Sequence, residues 1–201
     1  MSTFTDRIKA LFRRVGPFDP NTIASEMGLY PMTKSGATIN ESSAMAISTV
    51  YACVYKISST IASLGLEVYE REGRNIVQAN VHPAYNLVKI KPNNHQTAYE
   101  FWESITASAV IYGVGYAIIE RDDRGHATQL IPVHYADVDL RNVKGERVYS
   151  IKDVGIVRPE NMLEICNLQR MSPIRLHREN LGLAKSAQDF GAEYFGQSGQ
   201  M

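Results

Sequence analysis

The stretch ISTVYACVYKISSTIASLGLEVYEREG (47–73) decides the fold. Six of its apolar residues follow one another at intervals of three or four positions, which places them on one face of an α-helix. The pattern predicts a helix over 44–64 that Gly65 ends, and Lys56 is its only charged residue. A helix with so few charges is expected to be covered on more than one side. We call these six residues the apolar seam: Ile47, Val50, Val54, Ile57, Ile61 and Leu64.

The residues that follow the seam predict a short β-hairpin and a second capped helix. Alternation over 66–71, a turn at 72–74 and a return strand through Ile76 and Val77 are typical of a hairpin. A short helix is predicted from His82-Pro83. Thr97 and Glu100 form a T-x-x-E capping box, which predicts the start of a helix over 98–112. Gly113 and Gly115 are expected to stop that helix and turn the chain tightly into a strand.

The remaining sequence predicts a β-rich part and a last helix. Strands are expected over 116–121, 128–133, 138–141, 147–151 and 162–168, followed by a basic loop over 169–177 and a helix over 178–196. Before the seam, 4–15 has the spacing of an amphipathic helix, and 16–43 is interpreted as an irregular arm. The fold class is therefore α+β, with an N-terminal arm over 1–43 and one domain over 44–201.

The composition limits the classes of function. The 201 residues carry 21 basic and 21 acidic side chains, so the chain lacks the positive excess typical of proteins that wrap nucleic acid. The two cysteines, Cys53 and Cys166, are predicted to be buried and reduced. No secretion signal begins the sequence, and no apolar run approaches the roughly 18 residues of a membrane span. We expect a soluble protein made in a cytoplasm, with no contact to a membrane.

No constellation predicts a reaction centre, a cofactor or a metal site. The five histidines have no ligand spacing, and GxxxxGK[ST], the signature of a packaging ATPase, is absent. Asp137 and Asp139 would share one face of a strand and could hold a divalent cation. A metal-dependent hydrolase or nuclease is therefore the alternative to a solvated strand face. We predict that the chain is not an enzyme.

Two basic clusters could contact DNA phosphates, acidic groups of a protein partner, or solvent only. The first lies on the predicted N-terminal helix, and the second surrounds the basic loop before the last helix. The clusters consist of Arg7, Lys9, Arg13 and Arg14, and of Arg170, Arg175 and Arg178.

Three blocks resemble the N-terminal half of the portal proteins of tailed phages. They are STVYACVYKISSTIASLGLEVYEREG (48–73), HPAYNLVKIKPNNHQTAYEFWE (82–103) and IYGVGYAIIERDDRGHATQLIPVHYADVDL (111–140). Members of that family typically have GNAY where this chain has Gly113-Val114-Gly115-Tyr116. The resemblance covers roughly 45–195 and implies the wing domain, with the stem, clip and crown absent from this chain.

The resemblance implies a structural subunit of a portal ring. Such subunits form a dodecamer at the unique capsid vertex, conduct double-stranded DNA, dock the terminase and connect the head to the tail through adaptor proteins. The implied partners are further copies of the chain, the major capsid protein, the terminase, the adaptors and DNA. The implied location is the virion after assembly in the host cytoplasm, with the arm reaching a neighbour or the capsid shell. A generic assembly adaptor recruited through 4–15, with no DNA role, remains a second alternative. We expect the seam to form the wing core, so that Asp at Val54 or at Ile57 would abolish folding.

Overall fold

The structure is a computed structural model that describes residues 33–143, 145–168 and 170–197. The predicted helix over 4–15, with its basic residues, and the arm as far as residue 32 lie outside these ranges.

The predicted helix over 44–64 is two helices, α1 (Glu41–Met45) and α2 (Ser48–Ser63). Asn40 starts α1, because its side chain accepts the Ser43 backbone N–H at 2.7 Å while Ser43 Oγ accepts the Asn40 N–H. At Ile47 the backbone is extended, with φ −79° and ψ 115°, which separates the two helices. The predicted end is confirmed: Leu64 caps α2, and Gly65 follows with φ +64°.

Residues 33–43 differ from the irregular arm that the sequence predicted. They lead into α1, and Ile39 is buried in one cluster with Ala44, Val54, Ile111 and Ile174. The boundary at residue 43 therefore falls inside a packed core. The composition of 16–43 does not predict this, because Ile39, the Asn40 cap and a few hydrogen bonds of residues 33–35 hold the segment in place.

The next elements match the prediction closely. The hairpin consists of β1 (Tyr69–Glu72) and β2 (Asn75–Gln78), and α3 (Ala84–Lys89) follows it. Helix α4 (Ala98–Tyr112) begins at the predicted capping box, in which the Glu100 N–H donates to Thr97 Oγ1 at 3.3 Å and the Thr97 N–H donates to Glu100 Oε2 at 2.8 Å. The Thr97 N–H, followed by the Thr97 hydroxyl, donates to the Glu100 carboxylate and so lowers the pKa of Glu100.

Two three-stranded antiparallel sheets form the β-rich part. The first has the order β4-β3-β8, and the second has the order β5-β6-β7. Strand β7 was not predicted, and β8 ends two residues before the predicted strand. The strands are β3 (Val114–Arg121), β4 (Ala127–Val133), β5 (Val138–Val143), β6 (Glu146–Ile151), β7 (Gly155–Val157) and β8 (Met162–Cys166).

The first sheet has a core on each face. One face packs against α4 through Phe101, Ile105, Ala117 and Leu130. The other face packs against the second sheet, and this cluster contains Tyr116, Ile118, Ile131, Tyr149 and Ile151. The alternation of residues 116, 117 and 118 between the two clusters is the period-two pattern of a strand that is covered on both faces.

Helices α5 (Pro173–Leu176) and α6 (Arg178–Gln197) are the last elements of the described residues. The predicted loop over 169–177 thus contains a helical turn, which Ser172 caps by accepting the Arg175 N–H at 3.4 Å. Residues 33–35 lie against α6, where Lys34 N–H donates to Glu179 Oε2 at 3.0 Å. Ser186 Oγ donates to the Ser35 carbonyl at 3.1 Å.

Candidate assembly surface

The apolar seam is buried in its first half and exposed in its second. Ile47 is 8% exposed and Val54 is 7% exposed, and Val50 between them is partly buried. Ile57 is 44% exposed and Leu64 is 75% exposed, with Ile61 close to the former value. The prediction that the whole seam forms the core is therefore wrong for its last three members, in the single chain that the structure describes.

The seam is buried in one half and exposed in the other because other elements cover only part of α2. Residues of α1 and the segment before it pack over Val50 and Val54, and nothing equivalent in the described ranges covers the second half. The line along which α2 enters the interior runs instead through Val54, Ser58 and Ala62, all of which are buried. Their four-residue spacing and small size let a neighbouring helix approach closely. Sequence reasoning missed this line because it followed the large apolar residues alone.

The hairpin extends the exposed apolar surface beyond α2. Leu66, Tyr69 and Ile76 are exposed, and the pairing of Arg71 with Ile76 places Tyr69 and Ile76 on one face of the hairpin. Glu67, just before β1, accepts hydrogen bonds from Lys89 and Gln78 and so fixes the start of the hairpin. The hydrogen bond from Lys89 is the main cause of the lowered pKa of Glu67. A two-stranded hairpin is only marginally stable alone. We define the α2–hairpin surface as Ile57, Ile61, Leu64, Leu66, Tyr69 and Ile76.

The predicted basic residues of the second cluster are paired within the chain. Arg170 forms an ion pair with Glu164, and Arg178 Nε lies 4.0 Å from Glu179 Oε1. Arg175 Nε donates to Glu41 Oε1 at 2.7 Å. From the sequence alone, these residues are candidates for contact with DNA phosphates, with a protein partner or with solvent. The ion pair could not be predicted, because Glu41 and Arg175 are 134 residues apart in sequence.

Breaking the Arg175–Glu41 pair should destabilise the protein. The Glu41 side chain is 0% exposed, whereas the Arg175 side chain is 45% exposed, so solvent screens only one partner. We expect Arg175→Met to lower the free energy of unfolding by about 2 kcal/mol, because it removes the cation from a buried carboxylate. Urea denaturation measures this. Adding Glu41→Gln to Arg175→Met should recover part of the loss, and an Arg175→Met variant of unchanged stability would contradict the structural role.

Glu164 joins the two sheets and the segment after β8. Its carboxylate accepts the Tyr149 hydroxyl at 2.6 Å and Arg147 NH2 at 3.1 Å, besides its contact with Arg170. Burial, followed by the hydrogen bond to Glu164, raises the pKa of Tyr149 to about 12. The phenol therefore stays protonated at neutral pH, and this cluster fastens strands together instead of offering a free acid or base.

The structure does not support the hydrolase hypothesis. Asp137 ends a short 3-10 helix (Tyr135–Asp137), and Asp139 lies in β5 with its carboxylate 3.0 Å from Arg141 Nε, so the two do not share a strand face. Within the described ranges, no group of three or more His, Cys, Asp or Glu side chains could hold a metal ion. Cys53 and Cys166 are both exposed thiols, so the prediction that they are buried is wrong.

One open groove of about 460 Å³ lies between α3 and the first sheet. Its lining is mostly apolar and includes Leu87, Trp102 and Leu163, with Arg121 among the polar members. Each nitrogen of the Arg121 guanidinium donates one hydrogen bond, to Asn161 Oδ1 at 2.9 Å, to the Gly125 carbonyl at 2.9 Å and to the Glu160 carbonyl at 3.0 Å. The groove therefore presents mainly apolar surface, with His82 and His126 also in its lining.

An α+β domain with exposed large apolar side chains on a helix and its adjoining hairpin has the features of a protein that assembles with others. No helix within the described ranges is long and apolar enough to cross a membrane.

Comparisons with known proteins agree with one family. The sequence model of the phage portal protein family matches residues 48–201. The portal protein of Enterobacteria phage HK97 is 29% identical over 170 residues, which are 79% of this chain and 40% of that relative. The probable portal protein of Streptomyces phage phiC31 is 26% identical over 198 residues, covering 89% of this chain and 42% of that relative. This chain belongs to the phage portal protein family.

A solved structure confirms the fold. The crystal structure of an HK97 family phage portal protein from Corynebacterium diphtheriae matches with a TM-score of 0.59 at 16% identity, over 80% of this chain and 51% of that chain. The α+β fold class is therefore confirmed. The chain spans 40% and 42% of the lengths of the two curated relatives.

Proposed function

We propose that this chain is a structural subunit of a phage portal, which assembles with copies of itself into a dodecameric ring at the unique capsid vertex. In this role it provides part of the channel for DNA entry and exit, docks the terminase and connects the head to the tail adaptors. Family membership supports the portal role, and the exposed second half of the seam supports self-association. The virion, with the major capsid protein as neighbour, is the corresponding location.

The single observation that carries the self-association is the exposure of Ile57, Ile61 and Leu64 on an otherwise buried seam. A closed ring uses heterologous contacts, in which one patch meets a different patch of the next copy. Burying a side chain of this size contributes about 1.5–3 kcal/mol. The α2–hairpin surface offers six such side chains and so provides one half of each contact.

The net charge and the internal ion pairs favour a subunit that surrounds DNA over one that binds DNA tightly. The formal net charge is +0, and Arg170, Arg175 and Arg178 each have an acidic partner within the chain. A channel that conducts DNA must not hold it, because each phosphate contact adds affinity and sensitivity to salt. The N-terminal basic residues Arg7, Lys9, Arg13 and Arg14 remain candidates for phosphate or partner contacts.

The test compares two single aspartate substitutions on α2. Ile61→Asp introduces a charge into the α2–hairpin surface, whereas Thr60→Asp introduces the same charge at the adjacent exposed position. Native mass spectrometry of the full chain should show rings for the wild type and for Thr60→Asp, and mostly monomers for Ile61→Asp, because an unpaired charge is costly to bury in an interface. Thermal unfolding of each purified variant checks that both are folded.

Two outcomes would count against the proposal. If the wild-type chain stays monomeric at high concentration, the ring role of this chain fails. If Ile61→Asp forms rings as readily as Thr60→Asp, the ring forms through another surface and the assignment of the α2–hairpin surface is wrong.

A further inference from the structure

The groove between α3 and the first sheet contains a cation that no carboxylate of the described residues neutralises. Arg121 donates to one amide oxygen and two backbone carbonyls, all of which are neutral, and it forms no ion pair within the described ranges. A guanidinium has further N–H donors beyond these three bonds. The lining of the groove is mostly apolar and includes no Asp or Glu. It therefore suits an occupant that combines apolar and anionic groups.

The hairpin of β1 and β2 carries this combination on one of its faces. Glu70 pairs with Val77, and Glu72 pairs with Asn75, which places these side chains on one face, while Arg71 lies on the other. The carboxylates of Glu70 and Glu72 form neither a hydrogen bond nor an ion pair with another described residue. Both strands are exposed along their whole length. We call Glu70, Glu72 and Val77 the acidic hairpin face.

The hairpin cannot turn into the groove of its own chain without breaking hydrogen bonds. Only residues 79–81 connect β2 with His82, which already lines the groove. In this linker the Ala79 N–H donates to the Val68 carbonyl at 2.9 Å, and the His82 N–H donates to the Ala79 carbonyl at 3.2 Å. These bonds hold the hairpin in a position where its strands are exposed and the groove is open. A second copy of the chain can therefore supply what each of the two surfaces lacks.

The dimensions of the two surfaces also match. The groove has a volume of about 460 Å³, which lies in the range of pockets that enclose a small ligand or a few side chains. A strand of four residues is about 13 Å long, so the acidic hairpin face is short enough to enter such a groove. A two-stranded hairpin is marginally stable alone, and docking would cover it.

We propose that the acidic hairpin face of each subunit docks in the groove of the next subunit of the ring. Val77 contacts the apolar lining around Leu87 and Trp102, and Glu72 accepts a hydrogen bond from Arg121. The charge-assisted bond fixes the orientation of the contact. This inference rests on the proposed self-association, and it names the second of the two different patches that a closed ring requires. The opposite face of the hairpin continues the α2–hairpin surface beside the groove.

Two matched charge reversals test the docking. Glu72 and Glu146 are both exposed, and each closes the turn of a hairpin, opposite Asn75 and Val143 respectively. Native mass spectrometry of the full chain over a concentration series measures the concentration at which half of the chains are in rings. We expect this concentration to rise about tenfold for Glu72→Lys, which places a cation beside Arg121, and to stay unchanged for Glu146→Lys. Thermal unfolding of each purified variant checks that both are folded.

The outcomes separate this inference from the function on which it rests. If the wild type forms rings and the two variants assemble equally well, the docking is overturned while the ring remains. If the wild type forms no rings, both are overturned.

A cross-link identifies the groove and the chain that supplies it. Val77→p-benzoylphenylalanine is irradiated after ¹⁴N- and ¹⁵N-labelled chains have assembled together. Docking in the next subunit gives cross-links from residue 77 to 82–88 or 119–130, and part of them join peptides of different isotopes. Cross-links to these ranges that always join peptides of the same isotope would place the hairpin in its own groove. Cross-links to other parts of the chain alone would show another docking site, and either result overturns the proposal.

Discussion

Val54→Asp is expected to leave little or no folded protein, whereas Ile57→Asp is expected to fold. Val54 is 7% exposed and packs among Ile39, Ala44, Ile111 and Ile174. A carboxylate at this position would lie without a partner in an apolar cluster, at a cost of several kcal/mol. That cost is comparable with the whole stability of a typical domain, about 5–15 kcal/mol. Ile57 is 44% exposed, so an aspartate there can remain in water.

The two variants are to be compared by soluble yield and by urea denaturation of the full chain. We expect no cooperative transition for Val54→Asp and a loss of at most about 1 kcal/mol for Ile57→Asp, since exposed substitutions have small effects. Val54→Ala is the control for packing alone, and it should fold with a loss of about 1–2 kcal/mol. A folded Val54→Asp, or an Ile57→Asp that fails to fold, would contradict the division of the seam.

Local signals in the sequence predicted the elements that depend on few residues. The capping box at Thr97 and Glu100 gave the start of α4, and Gly113 gave its end, because both signals act within one helical turn. The seam predicted α2 but not the break at Ile47, since Ile47 keeps the spacing while its backbone is extended. The period of the apolar residues thus shows that the segment is helical, but neither where the helix is continuous nor which of these residues are buried.

Contacts between distant parts of the chain could not be predicted. Nothing near Arg175 indicates that Glu41 will accept its hydrogen bond, and nothing near Ser58 indicates that it will be 2% exposed. The first depends on how α1 and α5 meet around Ile111 and Ile174, and the second depends on how α2 packs against α4. The candidate assembly surface has the same origin, because the exposure of Ile61 depends on the length of α1 and the segment before it, which cover only the first half of α2.

This division of α2 connects folding with the proposed assembly. Residues that fold the chain lie toward the start of α2, and residues that remain exposed lie toward its end and on the hairpin. A subunit arranged in this way can fold before it meets its neighbours, because its core does not require the exposed half. The association then buries apolar area that folding left over, which is the usual source of affinity in a homo-oligomer.

The second large effect is expected at Gly113, where two constraints act together. Its φ of +94° lies in the left-handed region that favours glycine. A Cβ there would also lie 2.6 Å from the Met171 carbonyl carbon and 2.7 Å from the Met171 nitrogen. Both contacts are with backbone, so no side chain can move aside. We expect Gly113→Ala to lower the free energy of unfolding by about 3–5 kcal/mol.

Gly65 provides the matched control, because it also follows a helix with positive φ, at +64°, yet a Cβ there would meet nothing within 4 Å. Gly65→Ala should therefore cost only about 1 kcal/mol, the conformational part alone. In thermal unfolding this corresponds to a fall in Tm of roughly 2–4 °C for Gly65→Ala and of roughly 10 °C or more for Gly113→Ala. Equal falls in the two variants would mean that the close approach of Met171 contributes nothing.

The difference between the two glycines measures how firmly the segment after β8 is held against the end of α4. Ser172 Oγ donates to the Ile111 carbonyl at 2.6 Å, and the Asn167 N–H donates to the Gly113 carbonyl at 3.1 Å. Displacing Met171 strains both bonds and shifts α5, which carries Ile174 into the core and Arg175 onto Glu41. Gly113→Ala should therefore also weaken the Arg175–Glu41 pair, so that adding Arg175→Met to Gly113→Ala costs less than Arg175→Met alone.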